Sequence, residues 1–230
     1  GWYLAKKYFL NKNIFTKFDD YISYVIIGLI LGGRFGYVLF YNFDFYYNNL
    51  LDIFKIWQGG MSFHGGVLGV IIASIIFAKK NNDNVFEYLD VVALVSPIGI
   101  FFGRVANFIN SELYGSITDV PWAVTFIDVD NFPRHPSQLY EAFAYLIIFL
   151  ILRKMYWKGK AYLQEGKLIG TLFVTMFTAR FFIEFSKNSQ GGIEDYEVLK
   201  ILSTGQWLSI PFIAIGAWLL YRLKKQTALN

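Results

Sequence analysis

Val91 to Gly115 reads V-V-A-L-V-S-P-I-G-I-F-F-G-R-V-A-N-F-I-N-S-E-L-Y-G. The first half is apolar apart from Ser96, Pro97 and Gly99, the pattern of a membrane helix, and the far end holds Arg104, Asn107, Asn110 and Glu112. A charge at membrane depth costs about 3 kcal/mol on insertion scales, so such a group usually faces a protein interior or a wet cavity with a partner. The plainer alternative is a helix end whose arginine snorkels to the headgroups. The rest of the chain has to decide between them.

Composition supports the membrane. Of 230 residues, 55% are hydrophobic and 17% charged, against roughly 25% charged in soluble domains. There is no cysteine, which excludes disulfides, thiolate metal sites and a cysteine nucleophile. His64 and His135 alone offer little for a metal site, so none is expected. Nothing resembles a cleavable signal peptide.

Outward from that stretch, apolar runs of spanning length recur over Tyr21–Tyr41, Met61–Ala78, Phe86–Ile109, Pro136–Leu152, Leu168–Phe185 and Gln206–Leu223. The opening G-W-Y-L-A-K-K-Y-F-L resembles the tail of a further span, because about 20 apolar residues are needed to cross a bilayer. The expectation is an all-α polytopic membrane protein of about seven helices, the first truncated in this chain. No short alternating segments suggest a membrane β-barrel. Residues 1–230 read as a single integral membrane domain, with external loops near 43–60, 111–134 and 188–203.

Charge sets the orientation. Lys6, Lys7, Lys12, Lys17, Lys79, Lys80, Arg153, Lys154, Lys158, Lys160, Lys167, Arg222, Lys224 and Lys225 fall in alternate connections and the tail. The other connections hold Lys55, Arg134, Lys187 and Lys200 among Asp44, Asp52, Asp119, Asp128, Asp130, Glu194, Asp195 and Glu197. The positive-inside rule places the first set in the cytoplasm.

Three arginines remain inside spans: Arg34, Arg104 and Arg180. Arg34 lies among Gly32, Gly33 and Gly36, where small residues allow either helix packing or the approach of a headgroup. Arg104 and Asn107 share a helix face and could grip a phosphate, the arginine as a two-pronged donor. Glu112 could orient Arg104 or accept from a headgroup hydroxyl. Arg180 and Glu184 are either an intrahelical ion pair or two separate ligand-facing groups; arginine before glutamate is the weaker order for a pair. His64, between Gly59-Gly60 and Gly65-Gly66, has room for a substrate and could act as a general base, though a lone membrane histidine is often a hydrogen-bonded structural group. Arg134–Glu141, R-H-P-S-Q-L-Y-E, puts Pro136 at the first helical position. It is either a structural entry motif or a contributor to the site through Gln138 and Glu141, the latter without an obvious local partner. Topology places Arg34, His64, Arg104, Asn107, Glu112, Gln138, Arg180 and Glu184 in the external halves of their spans. From the residues alone, this is an outer-leaflet lipid site with an anion clamp and one base. A lipid or small-anion transporter with an arginine-lined path is the alternative; it would want polar groups at every depth.

The stretches G-G-R-F-G-Y-V-L-F-Y-N (Gly32–Asn42), G-G-M-S-F-H-G-G (Gly59–Gly66), G-R-V-A-N-F-I-N-S-E-L-Y-G (Gly103–Gly115), R-H-P-S-Q-L-Y-E and R-F-F-I-E-F resemble the prolipoprotein diacylglyceryl transferase family, in the family's order. The resemblance implies a multi-pass enzyme of the bacterial inner membrane with its site toward the periplasmic leaflet. It implies transfer of the diacylglyceryl group of phosphatidylglycerol to the lipobox cysteine of a preprolipoprotein signal peptide. No cofactor and no nucleic acid are implied; the partners are the two substrates and membrane lipids. By position, Arg104, Asn107, Glu112 and Gly115 match the family signature, His64 its histidine motif, and Arg180 and Glu184 its late pair. On this reading His64 is a candidate base, Arg104 and Arg180 stabilise the leaving phosphate, and Asn107 and Glu112 orient headgroup or arginines. An arginine-lowered thiol pKa makes the base less necessary. The family's W-Y-G tyrosine has no match: Trp2-Tyr3 is followed by Leu4 and Lys6-Lys7, so its role is not assigned to Tyr3.

Overall fold

The computed structural model describes residues 1–12, 15–188 and 201–229. Among them lie α1 (Trp2–Asn11), α2 (Phe18–Phe40), α3 (Phe43–Asn48), α4 (Phe63–Asn81), α5 (Val85–Ile109), α6 (Ser137–Trp157), α7 (Lys167–Ile183) and α8 (Thr204–Leu229), with one two-stranded hairpin, β1 (Val124–Thr125) and β2 (Pro133–Arg134). The protein is an all-α polytopic membrane protein. Each of the six complete spans read from the sequence is a helix, and α2, α4, α5 and α7 are long and apolar enough to cross a membrane by length and composition. The acidic loop 188–203, with Glu194, Asp195, Glu197 and Lys200, lies mostly outside the described residues.

Contacts divide the described chain into two units. In the first, drawn from residues 6–89 and 201–208, α2 and α4 cross through glycine. A Cβ on Gly28 would stand 2.6 Å from the Gly69 carbonyl, and one on Gly36 3.2 Å from Ser62 Cβ. Without side chains there, the backbones approach closely enough for dispersion to act along the whole crossing. Ser62 starts α4 by accepting from Gly65 N at 3.1 Å, and Asn82, at φ 53°, ends it by donating to the Ala78 and Lys79 carbonyls. The Lys17 ammonium and Asp83 pair at 2.6 Å beside buried Tyr21 and Tyr88, whose rings lie 4.8 Å apart.

The second unit, drawn from residues 1–5, 90–188 and 209–229, carries α6, α7 and most of α5 and α8. Phe177 and Phe212 stack at 4.3 Å where α7 meets α8. The first turn of α7 is capped from α5: buried Asp90 accepts from Gly166 N at 2.9 Å and Ile169 N at 2.8 Å. A carboxylate there satisfies two amides and faces the positive end of the helix dipole. The connection between α5 and α6 folds back on itself. Gly115 N donates to the His135 carbonyl and Ser116 N to the Ser186 carbonyl, each at 2.9 Å. Pro136 stands one residue before α6, not at its first position, and its carbonyl accepts from Leu139 N at 2.9 Å.

Candidate active site

Glu141 lies one turn into α6 with its side chain only 2% exposed. A carboxylate so buried in a membrane helix is unfavourable unless paired. Here it is paired three times. Arg104, from α5, forms an ion pair with Oε2; Arg180, in the last turn of α7, donates from Nη1 to Oε1 at 3.1 Å; and Lys187 Nζ reaches Oε1 at 2.8 Å. Arg180 Nη1 also lies 3.2 Å from the Tyr145 hydroxyl, and Lys187 stands 3.5 Å from Glu184. Arg180 thus reaches across to α6 while Glu184, opening the short turn after α7, meets Lys187. Arg180 and Glu184 thus meet different protein partners, Glu141 and Lys187, which neither sequence alternative specified.

From Arg104 the network runs to the surface. Arg104 Nη1 donates to Asn107 Oδ1 at 3.2 Å, Asn107 Nδ2 to Glu112 Oε2 at 2.8 Å, and Gln138 Nε2 to the Glu112 carbonyl at 2.6 Å. Glu112 is exposed and is linked to Arg104 through Asn107. Two polar atoms along this chain of contacts are available to a ligand among the described residues. None accepts from Arg104 Nη2, and buried Gln138 Oε1 has no donor. Because Gln138 Nε2 faces a carbonyl, which can only accept, the other end of the amide is the oxygen. The site offers guanidinium donors and a neutral acceptor within one connected network.

Gly115 joins this region for a steric reason. A Cβ on it would collide with the Ser186 carbonyl and the Ser137 hydroxyl and stand 2.7 Å from His135 Cβ. The geometry gives it close packing of the α5–α6 connection against α6 and the end of α7.

Arg34 and His64 belong to the other unit. Arg34 is 3% exposed, and every N–H of its guanidinium has a backbone acceptor: Nε the Ile53 carbonyl at 2.8 Å, Nη1 those of Gly59 and Gly60, Nη2 those of Asp52 and Lys55. Tyr46 stacks on its face at 5.0 Å. The expected contact with a headgroup is corrected: no donor is left for one, and Arg34 instead fastens the 52–60 loop. His64 is buried at the start of α4. The glycines after it do not leave room for substrate. Gly65 is packed on the backbone of Gly32 and Gly36, and a Cβ on Gly66 would meet Leu29 at 3.0 Å. His135 Nδ1 lies 3.1 Å from the Tyr140 hydroxyl, which accepts from Trp122 Nε1 at 2.7 Å.

Sequence reasoning left Glu141 without a partner and counted Lys187 only as an external charge. The available signal was the intramembrane position of Glu141 beside two unmatched intramembrane arginines.

A family model described as prolipoprotein diacylglyceryl transferase matches residues 1–222. The chain is 38% identical over 240 aligned positions to a phosphatidylglycerol–prolipoprotein diacylglyceryl transferase of Rhizobium leguminosarum bv. trifolii, covering 100% of this chain and 85% of that protein. Proteins of the same description from Allorhizobium ampelinum and Brucella ovis are 40% and 39% identical, covering 98% and 100% of this chain and 82% and 85% of theirs.

Proposed function

The chain belongs to the prolipoprotein diacylglyceryl transferase family, and from that premise we propose that it moves the diacylglyceryl group of phosphatidylglycerol to the lipobox cysteine thiol of a prolipoprotein. The observation that carries this reading is the convergence of Arg104 and Arg180, from two helices, on the buried carboxylate of a third. Guanidiniums fixed in advance where charge develops stabilise a leaving phosphate without reorganising. Arg104 Nη2 supplies donors for a phosphate oxygen. Gln138 Oε1 and Glu112 supply acceptors for hydroxyls of the headgroup glycerol.

In the reaction the thiol sulfur forms a bond to the terminal glyceryl carbon while the bond from that carbon to the phosphate oxygen breaks. The electron pair leaves with glycerol phosphate. The thiol proton goes to solvent once nearby arginines favour the thiolate. We place the site toward the outer leaflet of the bacterial inner membrane, where the lipobox of an exported chain emerges.

The test is incubation of the protein with phosphatidylglycerol and a lipobox peptide, read by mass spectrometry. A diacylglyceryl adduct on the cysteine, absent from a Cys→Ser peptide, supports the reading. No adduct from folded, full-length protein overturns it and shifts the weight to lipid binding or transport.

A further inference from the structure

The charge around Glu141 does not cancel. Arg104, Arg180 and Lys187 all pair with one carboxylate, and Glu184 is the second acid within reach, 3.5 Å from Lys187. Their side chains are shielded, with Arg180 8% and Lys187 10% exposed. Glu112 is set apart from these cations by Asn107. Among the described residues the cluster therefore keeps a single surplus positive charge, and it has Arg104 Nη2 donors to present. A phosphodiester carries one negative charge.

We infer that Glu141 is a positioning residue that aims both guanidiniums and holds the cluster to this single surplus charge, so that a phosphodiester monoanion is bound and the phosphomonoester product is let go. The inference rests on the proposed reaction. When the carbon–oxygen bond breaks, the departing oxygen keeps the electron pair, and glycerol phosphate gains a negative charge that the diester lacked. A cluster with a larger surplus would retain that product. The carboxylate of Glu141 prevents this and also keeps the two like-charged guanidiniums together.

The experiment measures turnover of phosphatidylglycerol with a lipobox peptide, and its inhibition by added glycerol phosphate, in the whole protein and its variants. Glu141→Gln preserves shape and removes the counter-charge. It is expected to lower kcat and to tighten glycerol phosphate inhibition, each about tenfold, as an extra unscreened charge at short range predicts. Glu141→Asp keeps the charge and is expected to hold the inhibition constant near its original value while recovering part of kcat. Lys187→Met removes a cation and weakens inhibition. The double variant Glu141→Gln/Lys187→Met restores the charge and returns the inhibition constant toward that of the unaltered protein. A purely structural role would change the amount of folded protein and leave the inhibition constant alone. An inhibition constant unchanged in both Glu141→Gln and Lys187→Met overturns the inference; if Glu141→Gln does not fold, an unchanged constant in Lys187→Met overturns it alone. Absence of adduct from the unaltered protein is a separate result, and it sinks the proposed reaction itself.

Discussion

Replacing Arg34 with lysine keeps the positive charge but cannot reproduce a fork that donates from three nitrogens to five carbonyls. At least two of these carbonyls lose their donor. At about 1 kcal/mol for each lost bond, the expected cost in stability is about 2 kcal/mol. Faster amide exchange in the 52–60 loop should accompany it, with the affinity for phosphatidylglycerol little changed. A raised KM with unaltered loop exchange would instead return Arg34 to the headgroup. Arg104 behaves differently because its Nη1 and Nε bind side chains and its Nη2 donors stay available. Arg104→Lys should lower kcat by about a hundredfold, the usual size for loss of an aimed donor, with only minor change in the melting temperature. Intact kcat in that variant would remove Arg104 from the reaction. Both arginines were visible in the sequence as charges inside apolar runs. Their different work was not, because carbonyl acceptors leave no mark in a sequence: any residue of the 52–60 loop has one.

The same limit holds for whole elements. The length of the apolar runs placed α2, α4, α5, α6, α7 and α8, though α6 and α8 continue past those runs into their basic ends. The start of α7 depends on a cap supplied from 76 residues upstream, which no local pattern encodes. Asp90→Ala leaves the Gly166 and Ile169 amides without that acceptor in a buried setting. A loss of about 2 kcal/mol is expected, seen as a lower melting temperature in detergent, with Asp90→Asn intermediate. Equal melting of Asp90→Ala and the unaltered protein would show that α7 needs no cap. Arg180 lies at the far end of this helix, so fraying at Gly166 should leave the arginine network itself formed. The β1–β2 hairpin adds a pH effect. Asp130 is held below its ordinary range by hydrogen bonds from Arg134, at 2.5 Å and 3.2 Å. Because the folded carboxylate is the more acidic, its contribution is present above the unfolded value near 4 and is lost as pH falls through the lower folded value. Fluorescence of Trp122, exposed in this connection, should change below about pH 4 in the unaltered protein. Asp130→Asn should remove that transition. A transition that survives in the variant would belong to another group.

Across the molecule, orientation follows from charge that the helices themselves do not need. α6 is 21 residues long, about 31 Å at 1.5 Å per residue, enough to match the roughly 30 Å hydrocarbon core. Arg153, Lys154, Lys158 and Lys160 gather at its C-terminal end, while the connection before its N-terminal end holds Asp119, Asp128 and Asp130. Glu141, only one turn from that acidic end, ties the arginine network to the same side. The native chain has no cysteine, so single cysteines report on this directly. Asp128→Cys should react with a membrane-impermeant maleimide in intact spheroplasts, and Lys158→Cys only after the membrane is opened. Both residues are exposed at helix-connecting turns, so labelling need not disturb packing. The reverse pattern would put the arginine network on the cytoplasmic face, away from where an exported lipobox emerges. The charge asymmetry of the loops would then have failed as a guide to sidedness. The expected pattern instead places the anion clamp at the outer headgroup level, where lipid and exported thiol can meet without either crossing the bilayer again.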